Sequence, residues 1–365
     1  MSHRVKRRRS VWAVGSVAVV MSLIGWAAIP AHADVVTNPN LITFAGEGES
    51  TPYPSTLTFT LAGLVTDVNV KLHGLTHDLP ADIDILLVGP GGQGVVLMAD
   101  TGSGFSLTGV DLTFDDEAAS SLPGATAITA GSYKPTNLGS FSGSATGSSG
   151  NALSVFDGAS PNGTWRLFVF DDNNNATHGS ISGGWSLDIT RIAFGSVTPP
   201  SGRAGDIVTI AGSGFTGASA VKFGGVPAVA FTVDSDTQIT ATVPVGAGSG
   251  PVSVTSSNVS VSVSSSTDFV VMHARAISIE LKGHKALGTV DVSDGFAACG
   301  SIVPVKVQHL EHGHWKAVAG AVTKHDGSYK ALGLDDPGKY RAVARKTTLS
   351  SGDVCLKHIS PTARA

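Results

Sequence analysis

Charge is scarce in this chain, with only 14% of its 365 residues ionised, and aromatic side chains supply no more than 6%. So few rings argue against a broad aromatic platform for sugars or bases. Two cysteines, Cys299 and Cys355, are too few for a zinc cluster built on thiolates. Beyond the first 33 residues no long stretch keeps apolar residues at i, i+3, i+4 and i+7, so no long amphipathic helix is expected. No serine stands in a Gly-x-Ser-x-Gly frame between a strand and a helix, which removes the nucleophile elbow of a serine hydrolase. What the chain has in quantity is 45 glycines and 17 prolines, set between short runs of Val, Thr and Ser. That pattern predicts an all-β protein of two or three modules, each with its own core.

The N-terminus reads as an export signal. Arg4, Lys6, Arg7, Arg8 and Arg9 precede an apolar segment from Val11 to Ile29, and Pro30-Ala31-His32-Ala33 places small residues at a cleavage site. Residues 1–33 are therefore expected to be a signal peptide cut before Asp34, giving a secreted protein with no membrane anchor. The competing reading is an uncleaved anchor, because the apolar segment approaches the length of a span. The leader holds five of the 24 Lys and Arg and none of the 28 Asp and Glu, so the mature chain carries nine more acids than bases. The imbalance is concentrated in residues 34–192, where 16 acids face only Lys71, Lys134, Arg166 and Arg191. Such a module repels nucleic acid and suits hard cations. Residues 276–365 are mildly basic, with 12 bases against 8 acids.

Three anchors organise the acidic region. The first is His77-Asp78-Leu79-Pro80-Ala81-Asp82-Ile83-Asp84, running into Ile85-Leu86-Leu87-Val88 and the turn Gly89-Pro90-Gly91-Gly92. The second is Phe114-Asp115-Asp116. The third pairs Asn162-Gly163-Thr164-Trp165-Arg166-Leu167 with Gly183-Gly184-Trp185-Ser186-Leu187 across Asp171-Asp172-Asn173-Asn174-Asn175. Together they resemble the P/Homo B domain that follows the catalytic domain of proprotein convertases and many bacterial subtilisin-like proteases. The resemblance spans about residues 38–192 and implies a jelly-roll β-sandwich with Trp165 and Trp185 in its core. It also implies a module that accompanies proteases without being one.

Phe194-Gly195-Ser196-Val197-Thr198-Pro199-Pro200 marks a new start. Short alternating strands, each closed by a Gly or Pro turn, follow within Val208–Phe215, Val221–Ala228, Ser235–Pro244 and Gly250–Thr255. Their order resembles the IPT/TIG immunoglobulin-like domain over about 193–272. The last segment, 276–365, reads as a small β-sandwich with strands at Ala276–Leu281, Val303–Leu310, Trp315–Val318, Gly327–Ala331 and Gly338–Ala344. Its Gly327-Ser328-Tyr329 and Pro337-Gly338-Lys339-Tyr340 pieces resemble prealbumin-like modules. In an exported chain Cys299 and Cys355 are expected to form a disulfide.

Calcium is the sharpest chemical expectation, since it takes six to eight oxygen ligands from carboxylates, amides and carbonyls in flexible loops. The candidate ligands are Asp82, Asp115, Asp116, Asp171, Asp172 and Asn173, with Asp78 and Asp84 close in sequence; the resemblance adds weight, because bacterial P domains commonly hold structural calcium. An EF-hand is rejected, because Ala176 and Ser182 stand where that loop needs Gly and Glu. The competing reading is that these Asp and Asn residues form turns on their own backbone. His309, His312 and His314 flank a hairpin tip and need not converge on a metal.

The expected function is a secreted, non-catalytic multi-module protein for extracellular binding or adhesion. Its partner would be an exported protein or a cell-wall or matrix polymer. The alternative is an accessory protein whose P-like module supports a separate, secreted subtilisin-like serine endopeptidase. No catalytic residue is assigned under either reading.

Overall fold

The computed structural model describes residues 33–145, 150–173 and 178–365. The signal-peptide expectation thus falls outside the described residues, as do Asn174 and Asn175. Among the described residues there are only strands, three short 3₁₀ turns and loops, and no helix is long and apolar enough to cross a membrane. Both agree with the all-β expectation.

The first sandwich is built around the strand Leu64–His77. One of its edges takes the strand Trp185–Thr198 and then His178–Ile181, and the other takes Leu107–Phe114. The opposing sheet pairs Ile83–Val88 with Gly163–Asp171 on one side and Gly94–Ala99 on the other. Ser55–Phe59 alternates strictly buried and exposed, as a strand with one wet face should. Ile83–Val88 and Gly94–Ala99 are instead buried at every position. Ile85, Leu87, Val95 and Leu97 enter the sandwich core, whereas Leu86, Val88, Val96 and Ala99 form a second cluster under Phe141, Ala145 and Phe168. That two-sided burial explains why the sequence there is an unbroken apolar run.

Trp165 and Trp185 come from the two facing sheets, and both fill the core at 1% and 0% exposure. Their indole N–H groups donate to Pro161 O (3.1 Å) and Ser55 Oγ (2.9 Å), so neither polar edge is left unpaired.

The middle module begins inside the last strand of the first. Residues 185–192 of Trp185–Thr198 pair with Leu64–Leu72, and residues 193–198 continue out to pair with Ile207–Ser213. Arg191 staples the crossing: its Nε donates to Asp34 Oδ2 (2.7 Å) and its Nη1 to Ala62 O (2.7 Å) and Ser213 Oγ (3.3 Å). The middle core gathers Val208, Ile210, Phe215, Val221, Phe223, Ile239, Val252, Val254 and Phe269 between two sheets.

The last module packs Arg275–Ile277, Glu280–Lys282, Lys285–Val292 and Ser328–Leu332 against a sheet of Pro304–Glu311, His314–Val322, Lys339–Ala344 and the C-terminal segments. The strand Lys285–Val292 was not among those expected from sequence. Gly288 interrupts its β-branched pattern because a side chain there would collide with Ser278 O and the ring of Tyr329. Cys299 and Cys355 are bonded, with Cα atoms 5.4 Å apart, within the usual span for a disulfide. The histidines at the 309–314 hairpin do not converge. His309 is buried and stacked on Tyr340, while His312 and His314 are exposed around the turn.

Candidate functional site

The six candidate calcium ligands divide between two ends of the first sandwich. Asp82, Asp171, Asp172 and Asn173 gather near His77, at the C-terminal end of Leu64–His77. Asp115 and Asp116 gather near Asp67, ten residues earlier on the same strand and so roughly 33 Å away at a strand's rise per residue.

At the first end, strand geometry does the collecting. Ile83–Val88 and Gly163–Asp171 are antiparallel, with Asp84 opposite Phe170 and Asp171 opposite Ile83. Gly94–Ala99 runs antiparallel to Ile83–Val88, so Asp100, just past its end, arrives at the same rim. Asp171 is fully buried, its Oδ2 facing His77 Nε2 at 3.2 Å and its Oδ1 accepting the backbone N–H of Asn173. Asp82 supplies its carbonyl to Asp172 N and its Oδ1 to the amide of Asn173 at 3.4 Å.

The carboxylate that stands out is Asp84, which sequence placed near the site without choosing. It is 1% exposed; Oδ2 accepts the N–H of Ser142 (2.7 Å), but Oδ1 is buried with no hydrogen-bond partner among the described residues. Burial, followed by the charges of Asp172 and Asp100, pushes its carboxyl up to about 6, against the pull of the Ser142 hydrogen bonds. Asp172 is also raised, by burial and then by Asp100. Asp100 sits at a left-handed φ of 52°, and Gly139 passes so close over its carboxylate that no side chain would fit there. Sequence reasoning missed Asp100. An acid directly after a fully apolar strand that neighbours Ile83–Val88 was the signal available.

At the other end, Asp67, Asp115, Asp116, Glu117 and Asp157 line a cleft of about 730 Å³, which Asn258 and Val259 of the middle module close. Asp116 is committed to structure: its two oxygens accept the N–H groups of Leu153 (3.0 Å) and Ser154 (2.8 Å) at a 3₁₀ turn. Asp115 Oδ1 likewise accepts Glu117 N (2.7 Å). Burial, then Asp67, Asp116 and Glu117, drives Asp157 up to about 7. Asp67 and Glu117 are raised as well, burial first in each case. Asp67 and Asp157 were not read from sequence, because their meeting depends on a strand and a loop some 90 residues apart.

Among the described residues, no three His, Cys, Asp or Glu side chains converge in a geometry ready to hold a metal ion. What the two clusters share is several carboxylates held close together, with Asp84 buried but Asp100, Asp172 and Glu117 exposed, and with Lys134 donating to the carbonyl of Asp116 at the second.

The family model of the IPT/TIG domain matches residues 193–271. No curated relative matches the chain. Solved structures resemble it only at low identity. An auxiliary nutrient binding protein from Bacteroides ovatus is 16% identical over 45% of this chain and 42% of its own, at a TM-score of 0.21. A serine protease of Aeromonas sobria is 19% identical over 43% of this chain and 27% of its own, at 0.22. The glycoside hydrolase domain of Endo-D from Streptococcus pneumoniae is 7% identical over 92% of this chain and 36% of its own, at 0.20. The chain thus spans less than half the length of each, and likenesses of this degree carry no argument about activity.

Proposed function

We propose that this chain is a secreted, non-catalytic scaffold of three β-modules that binds an exported protein or a cell-wall or matrix polymer. The observation that carries the reading is the way the modules are joined. One strand serves both the first and middle sandwiches, and Arg191 ties that crossing to Asp34, Ala62 and Ser213. Joints of this kind hold the surfaces of neighbouring modules in a set relation, which suits presenting a binding face more than closing over a substrate. The IPT/TIG match gives the middle module an immunoglobulin-like fold, in keeping with that role.

The first module is, in this proposal, P/Homo B-like and calcium-stabilised. The support for an ion near Asp84 is a buried carboxylate oxygen without a donor among the described residues and the neighbouring charge of Asp172 and Asp100; the side chains of Asp82 and Asn173 at the rim would have to close in to complete its shell. Asp115 and Asp116 fit less well, since three of their four oxygens already accept backbone N–H groups. Asp171, held between His77 and Asn173, would support the loop from behind. Calcium would supply charge neutralisation and loop order.

The test of the binding role is retention of the purified mature protein on cell-wall and matrix fractions and on secreted proteins. Saturable retention by one of these supports the scaffold; uniform failure on all three refutes it. The protease-accessory alternative predicts instead that a subtilisin-like peptidase is captured and that its stability or activity rises on binding.

A further inference from the structure

The larger sheet of the last module turns one face to its core and the other to water. Opposed residues of paired strands share a face, so the register of Pro304–Glu311 with His314–Val322 and Lys339–Ala344 sorts their side chains. Val307, Tyr340 and Ala342 point into the core. The alternate set, Lys306, Gln308, Trp315, Lys339 and Arg341, lies on the outer face, and Arg364 joins it opposite Lys339. Lys306, Lys339 and Arg364 are exposed, while Gln308, Trp315 and Arg341 are half-buried. Glu311 is the single acid on these strands, and it lies on the side of His309, where it pairs with Lys316 at 3.0 Å.

Arg341 is held in place on this face. Its Nε donates to Gln308 Oε1 (2.8 Å), and its guanidinium carbon lies 4.2 Å from the centre of the Trp315 ring. A guanidinium stacked on a ring and bonded at Nε keeps its plane and offers its two Nη groups as a fork. Those groups have no acceptor among the described residues. Nor does Lys306, Lys339, Arg341 or Arg364 have a carboxylate partner among them. Lys339 and Arg341 stand one pleat repeat apart, roughly 6.6 Å along their strand, and Lys306 lies diagonally across on the neighbouring one. Leu310 and Ala317 fill the neutral positions on the same face. The outcome is a flat, wet surface of spaced cations with one pre-set fork.

We propose that this face docks an acidic polysaccharide, a polymer of sugar rings bearing carboxylates, with the Arg341 fork as its anchor. The inference rests on the scaffold reading and names the class of polymer that the scaffold holds. Charge sets the sign of the partner, because these cations stand without acids on the one mildly basic module of a chain that is otherwise acidic. Charge density sets its kind. Duplex nucleic acid carries a charge about every 1.7 Å, and it and polyphosphate are repelled by the acidic first module of the same chain. A glycan instead separates its carboxylates by neutral rings. The C–H faces of those rings pack on Leu310, Ala317 and the indole of Trp315, while the fork takes a carboxylate through two parallel hydrogen bonds.

The test uses the full mature chain and polygalacturonate, with its methyl ester as the same polymer without charge and inorganic polyphosphate as charge without sugar. Calorimetry at low salt should show saturable binding to polygalacturonate that weakens as salt rises, and binding at least about tenfold weaker to the ester and to polyphosphate. Arg341→Gln should weaken binding to polygalacturonate roughly tenfold, and Arg341→Lys nearly as much, because an ammonium restores the charge but neither the fork nor the stack. Lys306→Gln should weaken it about threefold. These side chains lie outside the core, so the variants should melt with wild type, and the comparison of the three polymers is made in the unmodified protein. Absence of binding to polygalacturonate at low salt, ester or polyphosphate bound as tightly, or Arg341→Lys binding like wild type overturns the proposal. Saturable retention on a wall, matrix or secreted-protein fraction without binding to polygalacturonate overturns this inference alone, whereas failure on all three fractions overturns the scaffold reading beneath it.

Discussion

Replacing Asp84 with Asn should stabilise the calcium-free protein at neutral pH, although it alters a fully buried residue in a sheet. Asp84 ionises near 3.8 in an open chain and at about 6 in the fold. Between those values the folded state binds more protons than the unfolded, so stability falls as pH rises through that window and the whole penalty is present above about 6. The displacement corresponds to roughly 3 kcal/mol. At the sensitivity usual for a module of this size, that is an upper limit of roughly 6–12 °C in melting temperature. Asn keeps an oxygen for Ser142 N and turns its amide toward Asp172 and Asp100, where a donor is welcome. Thermal melts of wild type and Asp84→Asn in chelator, at about pH 7.5 and about pH 5, supply the comparison. The variant should lead at the higher pH and keep only about half of that lead at the lower. Calcium should close most of the gap, because an ion at 100 times its dissociation constant adds about 2.7 kcal/mol to wild type and little to a protein lacking the Asp84 charge. A variant no more stable than wild type in chelator at neutral pH would refute the buried-charge argument; identical wild-type melts in chelator and millimolar calcium would refute the ion.

Mass spectrometry of unreduced protein should find Cys299 and Cys355 joined and no free thiol, and replacing both with Ser should cost roughly 4 kcal/mol for a closed loop of 56 residues; a loss under 1 kcal/mol would mean that the last module holds without it. Trp185→Ala should destabilise the first module by about 3–5 kcal/mol, since it empties one of the two tryptophan sites in the core and removes a hydrogen bond to Ser55, whereas Val35→Ser on the exposed face should stay within about 0.5 kcal/mol. Equal effects at both positions would mean that the core is misassigned. Purified mature protein should cleave neither casein nor generic peptides above a heat-killed control, and cleavage abolished by a serine-hydrolase inhibitor would overturn the non-catalytic reading.

The fold was legible in sequence wherever a pattern is local. Alternation in Ser55–Phe59, the apolar run from Ile83 to Val88, and glycines at turns each report their own surroundings, and the two tryptophans lie in the core as the resemblance implied. Lys285–Val292 escaped notice because Gly288 and Asp291 look like turn residues until Tyr329 is placed above Gly288. The candidate site was less legible for a different reason. Composition announced an acidic module, but which carboxylates share a space is decided by strand register. Asp171 looks like a loop ligand until the pairing of Gly163–Asp171 with Ile83–Val88 brings it to the rim, where His77 meets it in the interior; Asp84, its near neighbour across the sheet, is left with the bare oxygen. The buried trio of His273, Asp294 and Asp353, where the middle and last modules meet, was invisible for the same cause. Its three members lie 21 and 80 residues apart and carry no spacing that chemistry requires. They meet only because the last module folds back to lay Val354–Cys355 beside Met272–His273. Which buried polar groups meet is thus decided by topology, and in this chain both Asp84 and His273 sit where strands distant in sequence end side by side.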